Sequence, residues 1–178
     1  MILMVTSTIS CVLNLSVFFK ESLQKNPCTI YLIAINILNL FYFYWAFNIT
    51  IITTGYGVNP GATNLVFCRF LYYISIVLSC WKSSYFILAS IDRIMITSPN
   101  AATRLRSTRR LVITSLITIS LFWAVVHTHI FVYIQILHFG PFYSVCYYRP
   151  GAYTTFMTVY FVGISGILVI SLMTIFGL

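Results

Sequence analysis

The stretch from Cys68 to Arg93, CRFLYYISIVLSCWKSSYFILASIDR, is apolar along most of its length, yet it carries a lysine inside and an Asp-Arg pair at its end. At ~1.5 Å rise per residue a helix from Cys68 to Asp92 is roughly 36 Å long, a little more than the ~30 Å hydrocarbon core of a bilayer. Such a helix crosses completely, with some tilt. Cys68 then stands at one mouth and Asp92 with Arg93 at the other, and Lys82 lies too deep to reach water easily on either side.

Composition points the same way. Of 178 residues, 60% are hydrophobic, 17% aromatic and only 7% charged, with a mean hydropathy of +0.96. A soluble domain needs far more polar surface, so the class is an all-α, polytopic transmembrane helix bundle. The net charge of +8 is no nucleic-acid signature, because the few cations flank apolar runs, as membrane insertion places them. With no Gly/Ser/Pro-rich linker or repeat, residues 1–178 read as one domain.

Spans are expected at about 1–19, 28–53, 65–94, 111–134 and 153–178. The first lacks the basic start and small-residue cleavage site of a signal peptide, so it reads as a membrane helix beginning at the initiating residue. Pro27 marks the entry to the second span, whose outer half is aromatic from Phe41 to Trp45, as an interfacial belt is. TTGYGVNPGATN is a loop by its turn chemistry, and ITSPNAATRLRSTRR after the third span holds the densest charge cluster, Arg104, Arg106, Arg109 and Arg110. HFGPFYSVCYYRPG forms a second polar-aromatic loop, in which FYSVCYY has the composition of a short strand or hairpin.

Orientation follows from counting cations. Lys20, Lys25, Arg93, Arg104, Arg106, Arg109 and Arg110 fall on one side, against Arg69 and Arg149 on the other; seven against two puts the amino terminus outside. The sequon Asn48-Ile49-Thr50 then lies near the outer end of span two, compatible with glycosylation but close to the membrane. Cys68 and Cys146 both fall on the outer, oxidising side, where a disulfide is chemically permitted; two free, buried cysteines are the alternative. Cys11, Cys28 and Cys80 lie in or beside apolar spans and read as packing residues.

In order, spacing and sidedness these residues resemble the rhodopsin-like seven-helix G-protein-coupled receptors. That family has a cysteine at the outer start of its third helix and Asp-Arg at the inner end; here 23 residues separate Cys68 from Asp92-Arg93. Trp123 falls where the family has its fourth-helix tryptophan, Asn14 where it has a first-helix asparagine, and Cys146 where its second outer loop offers a cysteine. The resemblance covers all five spans of this chain and five of the family's seven. It departs at Ile94, which replaces the tyrosine after Asp-Arg, at Pro99, one residue early, and at the fifth helix, which lacks its proline. Helices six and seven have no counterpart, so the chain is expected to be an incomplete receptor sequence or a fragment.

The resemblance implies a plasma-membrane receptor that senses an extracellular ligand and signals to a cytoplasmic heterotrimeric G protein. It implies a Cys68–Cys146 disulfide pinning the second outer loop over the third helix, a switch at Asp92 and Arg93, and a ligand pocket including Tyr72, Ser75, Ile76 and Ser79. Amine receptors keep an aspartate where Ser75 stands, so a monoamine is not expected; the aromatic loop resembles that of peptide receptors, and the ligand is expected to be a peptide or a small molecule of unknown kind. Asn39 and Lys82 occupy places where the family keeps an aspartate and a serine around a sodium ion. The lysine ammonium is therefore expected to replace that ion, held by Asn39, Asn14 and Ser83, the alternative being a lysine facing a water-filled gap.

Asp92 and Arg93, next to water at the helix end, also have a simpler reading as a membrane anchor, an exposed pair worth only ~0–1 kcal/mol. His127 and His129, two apart on a helix, point to different faces and read as interfacial packing, so no metal and no cofactor are expected. One Asp and one Glu, with no nucleophile and base set, argue against an enzyme. Two rival readings are a small transporter using Lys82, although it shows no internal repeat or matching broken helices, and a non-signalling truncated receptor that associates with complete ones.

Overall fold

The computed structural model describes residues 2–20, 26–57, 60–100, 107–138 and 144–168, with 170, 171 and 174. Lys25, Arg104, Arg106 and most of the expected fifth span beyond 168 lie outside the described residues. Helix α1 is Ile2–Phe18 and α2 is Pro27–Thr50, which continues as a wider turn over Ile51–Gly55. A short α3, Pro60–Thr63, precedes the long α4, Leu65–Thr97. Helix α5, Arg109–Val126, tightens over His127–His129 and resumes as α6, Ile130–Tyr133. Strands β1, Ile134–His138, and β2, Ser144–Tyr148, form an antiparallel hairpin, and α7, Ala152–Tyr160, runs into a wider helical segment to Leu168.

Side-chain caps start three of these helices. Asn26 Oδ1 accepts from the Cys28 amide, with Pro27 in the first turn, where its missing N–H costs nothing. Asn64 Oδ1 accepts from the amides of Val66 and Phe67 to open α4, and Thr108 Oγ1 accepts from Leu111 to open α5. Among the described residues, three helical stretches are long and apolar enough to cross a membrane: Pro27–Gly55, Leu65–Thr97 and Arg109–Tyr133, of 29, 33 and 25 residues. Helix α1, at 17 residues and roughly 26 Å, falls short of the ~30 Å core.

Helix α4 is the hub. It supplies Cys68, Ile76 and Cys80 to one buried cluster, with Ile130, Ile134, Cys146 and Met157, and Tyr85 and Ala89 to a second, with Tyr31, Ile35 and Val112. Its hydroxyls and indoles also bind α5: Tyr73 donates to the Ala124 carbonyl, Trp81 to the Ser120 carbonyl, and Trp123 of α5 donates back to Ser84 at 2.7 Å. The outward faces are apolar instead. Leu13, Leu121 and Val125 are 62%, 62% and 68% exposed, a surface that suits lipid tails and not water.

Where the described residues allow the comparison, most helices start and stop within a few residues of the expected bounds, with two differences. Helix α2 with its wider last turn runs to Gly55, where the Thr53 and Thr54 hydroxyls donate to the Ile49 and Thr50 carbonyls one turn back. The fourth span yields to extended backbone at Ile134, and IQILH pairs with SVCYY in the register Ile134↔Tyr148, Ile136↔Cys146, His138↔Ser144. The hairpin expected within FYSVCYY therefore draws its other strand from the end of the fourth apolar run.

Candidate functional site

The hairpin is stitched onto the first turns of α4. Cys68 is fully buried and disulfide-bonded to Cys146 on β2, with Cα atoms 5.8 Å apart. One residue on, Arg69 Nε donates to the Ile134 carbonyl at 3.1 Å; one turn on, Tyr72 Oη donates to the Cys146 carbonyl at 3.1 Å. The Tyr72 and Tyr148 rings meet edge to face at 5.2 Å. Three successive contacts along one helix face thus hold a lid in place. Burial and the neighbouring phenols hold the Tyr148 hydroxyl protonated well above the ordinary tyrosine range.

Beneath the lid lies a cavity of about 280 Å³ lined by Ile49, Gly61, Leu71, Tyr72, Ser75 and Cys146. None of the described lining residues is charged. Ser75 Oγ accepts from the Trp45 indole at 3.2 Å and donates to the Leu71 carbonyl at 2.8 Å, so its hydroxyl is oriented before any ligand arrives. Of the four expected pocket residues, Tyr72 and Ser75 line this cavity. Ile76 does not; it is 5% exposed and packs in the cluster with Ile130, Ile134 and Met157. Ser79 is one turn deeper than Ser75 and is not part of the lining. Tyr72→Phe is expected to loosen the lid by about 1 kcal/mol, since one hydrogen bond is lost and no cavity opens; thermal unfolding in lipid discs measures it.

Midway down α4, Lys82 is half-buried with its ammonium over the Tyr42 ring, 5.0 Å from the centroid. The expected cluster does not assemble. Asn39 is half-buried and Asn14 exposed, and among the described residues neither they nor Ser83 hydrogen-bonds to Lys82. A tyrosine face on the same helix as Asn39 stabilises the cation instead.

At the other end of α4 the Asp-Arg pair splits. Asp92 is 4% exposed and its Oδ1 accepts from Ser107 Oγ at 2.6 Å, while Oδ2 is buried without a partner among the described residues. Arg93 is exposed and lines a second cavity of about 370 Å³ with Phe18, Asn26, Cys28, Leu32 and Thr97. The expectation that both stand next to water is corrected for Asp92. Adjacent residues on a helix point about 100° apart, and Asp92 turns toward the start of α5, where the positive helix end favours a carboxylate.

Asn48 is exposed but helical, and its Nδ2 donates to the Tyr44 carbonyl at 2.8 Å, inside the apolar stretch Pro27–Gly55. The atom that would carry a glycan is thus engaged and a turn or more inside the helix. Glycosidase treatment is expected to leave the chain's mass unchanged.

His127 packs inside the bundle, against α4 and α7. It is 1% exposed, and its Nε2 lies 3.8 Å from Cys80 Sγ and 3.2 Å from Tyr160 Oη. No signal in the sequence joins three positions so far apart. No family model matches the chain, and no curated protein matches it.

Proposed function

We propose that the chain is the first five membrane helices of a rhodopsin-like G-protein-coupled receptor in the plasma membrane, with its amino terminus outside. Its ligand is extracellular and of peptide type, and its inner partner is a heterotrimeric G protein. The observation that carries this reading is the division of labour along α4. One end is bonded to a lid over an uncharged cavity, and the other holds a buried carboxylate beside an exposed arginine.

A ligand side chain entering beside Tyr72 and Ser75 competes with the Tyr72–Cys146 and Trp45–Ser75 hydrogen bonds and presses on α4. The helix is continuous over 33 residues, so rotation or translation at its outer turns would be passed to Asp92. Release of the Ser107–Asp92 bond then frees that end of α4 to present Arg93 to the G protein. The cavity favours an uncharged group, because none of its described lining residues would pair an ammonium.

The test is the reading frame past codon 178, together with nucleotide exchange on a G protein by the encoded receptor. Two further apolar spans carrying the family's Trp-Pro and Asn-Pro-x-x-Tyr signatures, with exchange lost in Arg93→Ala, are expected. Solute flux that depends on Lys82 and not on Arg93 would contradict it in favour of a transporter.

A further inference from the structure

Three side chains from separate elements converge in the bundle between the lid and its inner end: Cys80 on α4, His127 in the tight turn after α5, and Tyr160 at the end of α7. Cys80 is 5% exposed, His127 1%, and Tyr160 is half-buried. Their donor atoms form a small triangle, with Sγ to Nε2 at 3.8 Å, Sγ to Oη at 3.7 Å and Oη to Nε2 at 3.2 Å.

The histidine's tautomer follows from its other nitrogen. Nδ1 lies 3.0 Å from the Trp123 carbonyl, which can only accept, so Nδ1 carries the proton and the Nε2 lone pair faces the thiol and the phenol. Trp123 is in turn held by its indole bond to Ser84. A carbonyl behind the distal nitrogen is the arrangement that fixes metal-ligating histidines.

The triangle has the dimensions of one face of a tetrahedral zinc site. Bonds of ~2.3 Å to sulfur, ~2.0–2.1 Å to imidazole nitrogen and ~2.0–2.2 Å to oxygen, at the tetrahedral angle, set donors ~3.6 Å apart for S–N and S–O and ~3.4 Å for N–O. Each observed distance agrees to about 0.2 Å. We propose that Cys80, His127 and Tyr160 bind a Zn²⁺ ion, with a small exogenous ligand such as water in the fourth position.

Charge balances. The thiol and phenol each release a proton as Zn²⁺ enters, and Zn²⁺ with a thiolate, a phenolate and a neutral imidazole is uncharged, as was the protonated triad. A buried site in a low-dielectric bundle tolerates that exchange, whereas a divalent ion on neutral donors would leave two uncompensated charges. The ion would join α4, the end of α5 and α7 at a depth where no covalent link does so, independently of the receptor reading. Without metal the same atoms form a hydrogen-bonded chain in which Cys80 donates to Tyr160 and Tyr160 to His127 Nε2, so the apo state is also a satisfied one.

The experiment uses the full chain in lipid discs with Cys11→Ser and Cys28→Ser, which remove the other free thiols. Co²⁺ is titrated first, then Zn²⁺ in competition. The expected result is one Co²⁺ per chain, with a thiolate-to-metal charge-transfer band and tetrahedral d–d bands that Zn²⁺ displaces and Cys80→Ser abolishes. Tyr160→Phe, which removes a single oxygen, is expected to weaken Zn²⁺ by at least the ~10–100-fold that outer-shell changes cost. No thiolate band, a band that survives Cys80→Ser, or a Zn²⁺ affinity indifferent to Tyr160→Phe would each overturn the site and leave a hydrogen-bonded chain only.

Discussion

Replacing Cys68 and Cys146 together by serine is expected to destabilise the outer half of the bundle by about 2 kcal/mol, the low end of what native disulfides contribute. The bridge closes a separation of 78 residues. In a water-soluble chain the loop-entropy model would give more, but in the proposed membrane bundle the helices would be ordered without the bond. What the bond holds is the lid. Without it, β2 keeps the Tyr72 hydrogen bond, its β1 ladder and the Tyr148 ring contacts, while Arg69 holds β1, and these must order the hairpin. Either single variant should cost as much as the double one, since the two sulfurs act as one unit. The check is the thermal midpoint with and without reductant: the wild type should fall on reduction to the value of the double variant, which should not respond. A midpoint indifferent to reductant in every form would mean that the lid is held by packing.

Asp92→Ala is expected to cost about 1.5–3 kcal/mol, the range for hydrogen bonds to charged groups. The carboxylate is 4% exposed and accepts a 2.6 Å bond from Ser107, so truncation leaves that hydroxyl unpaired and opens a void at the start of α5. Asp92→Asn should behave differently. The amide oxygen keeps the Ser107 bond and the buried charge is gone, while the amide nitrogen replaces the unpartnered Oδ2, so stability should stay within about 1 kcal/mol of wild type. In the receptor reading the same pair separates two effects, because Ala releases the inner end of α4 while Asn holds it. Chemical denaturation of Ala, Asn and Ser107→Ala forms measures the first effect, and Ser107→Ala should lose most of what Asp92→Ala loses. Equal costs for Asn and Ala would place the stabilisation in the charge and not in the bond to Ser107.

How far residues alone reach can be judged element by element. The three long spans were legible because apolar length is a bilayer property and because Asn26, Asn64 and Thr108 sit as caps ahead of them. The pairing of Cys68 with Cys146 was legible through the resemblance. Strand β1 was not, since Ile134–His138 continues an apolar run with no Gly or Pro between, and its strand character depends on a partner that begins six residues after it ends. The depth of Lys82 could be counted along the helix, but its neighbour Tyr42 comes from another helix and is set by packing. Asp92 looked wet because it stands at a helix end; which way it faces depended on α5 returning to bring Ser107 beside it. Cys80, His127 and Tyr160 span 80 positions, and only the packing of α7 against α4 and α5 makes them neighbours.

The central claim is that α4 carries its disulfide end and its Asp92–Arg93 end to opposite sides of a membrane. Thr63→Cys and Asn100→Cys, both at exposed positions just beyond the two ends of α4, test it in intact cells with a membrane-impermeant thiol reagent, the remaining free cysteines being buried. Labelling at 63 without permeabilisation, and at 100 only after it, is the expected result. Labelling of both in intact cells, or of neither, would contradict a crossing helix and remove the basis for a receptor.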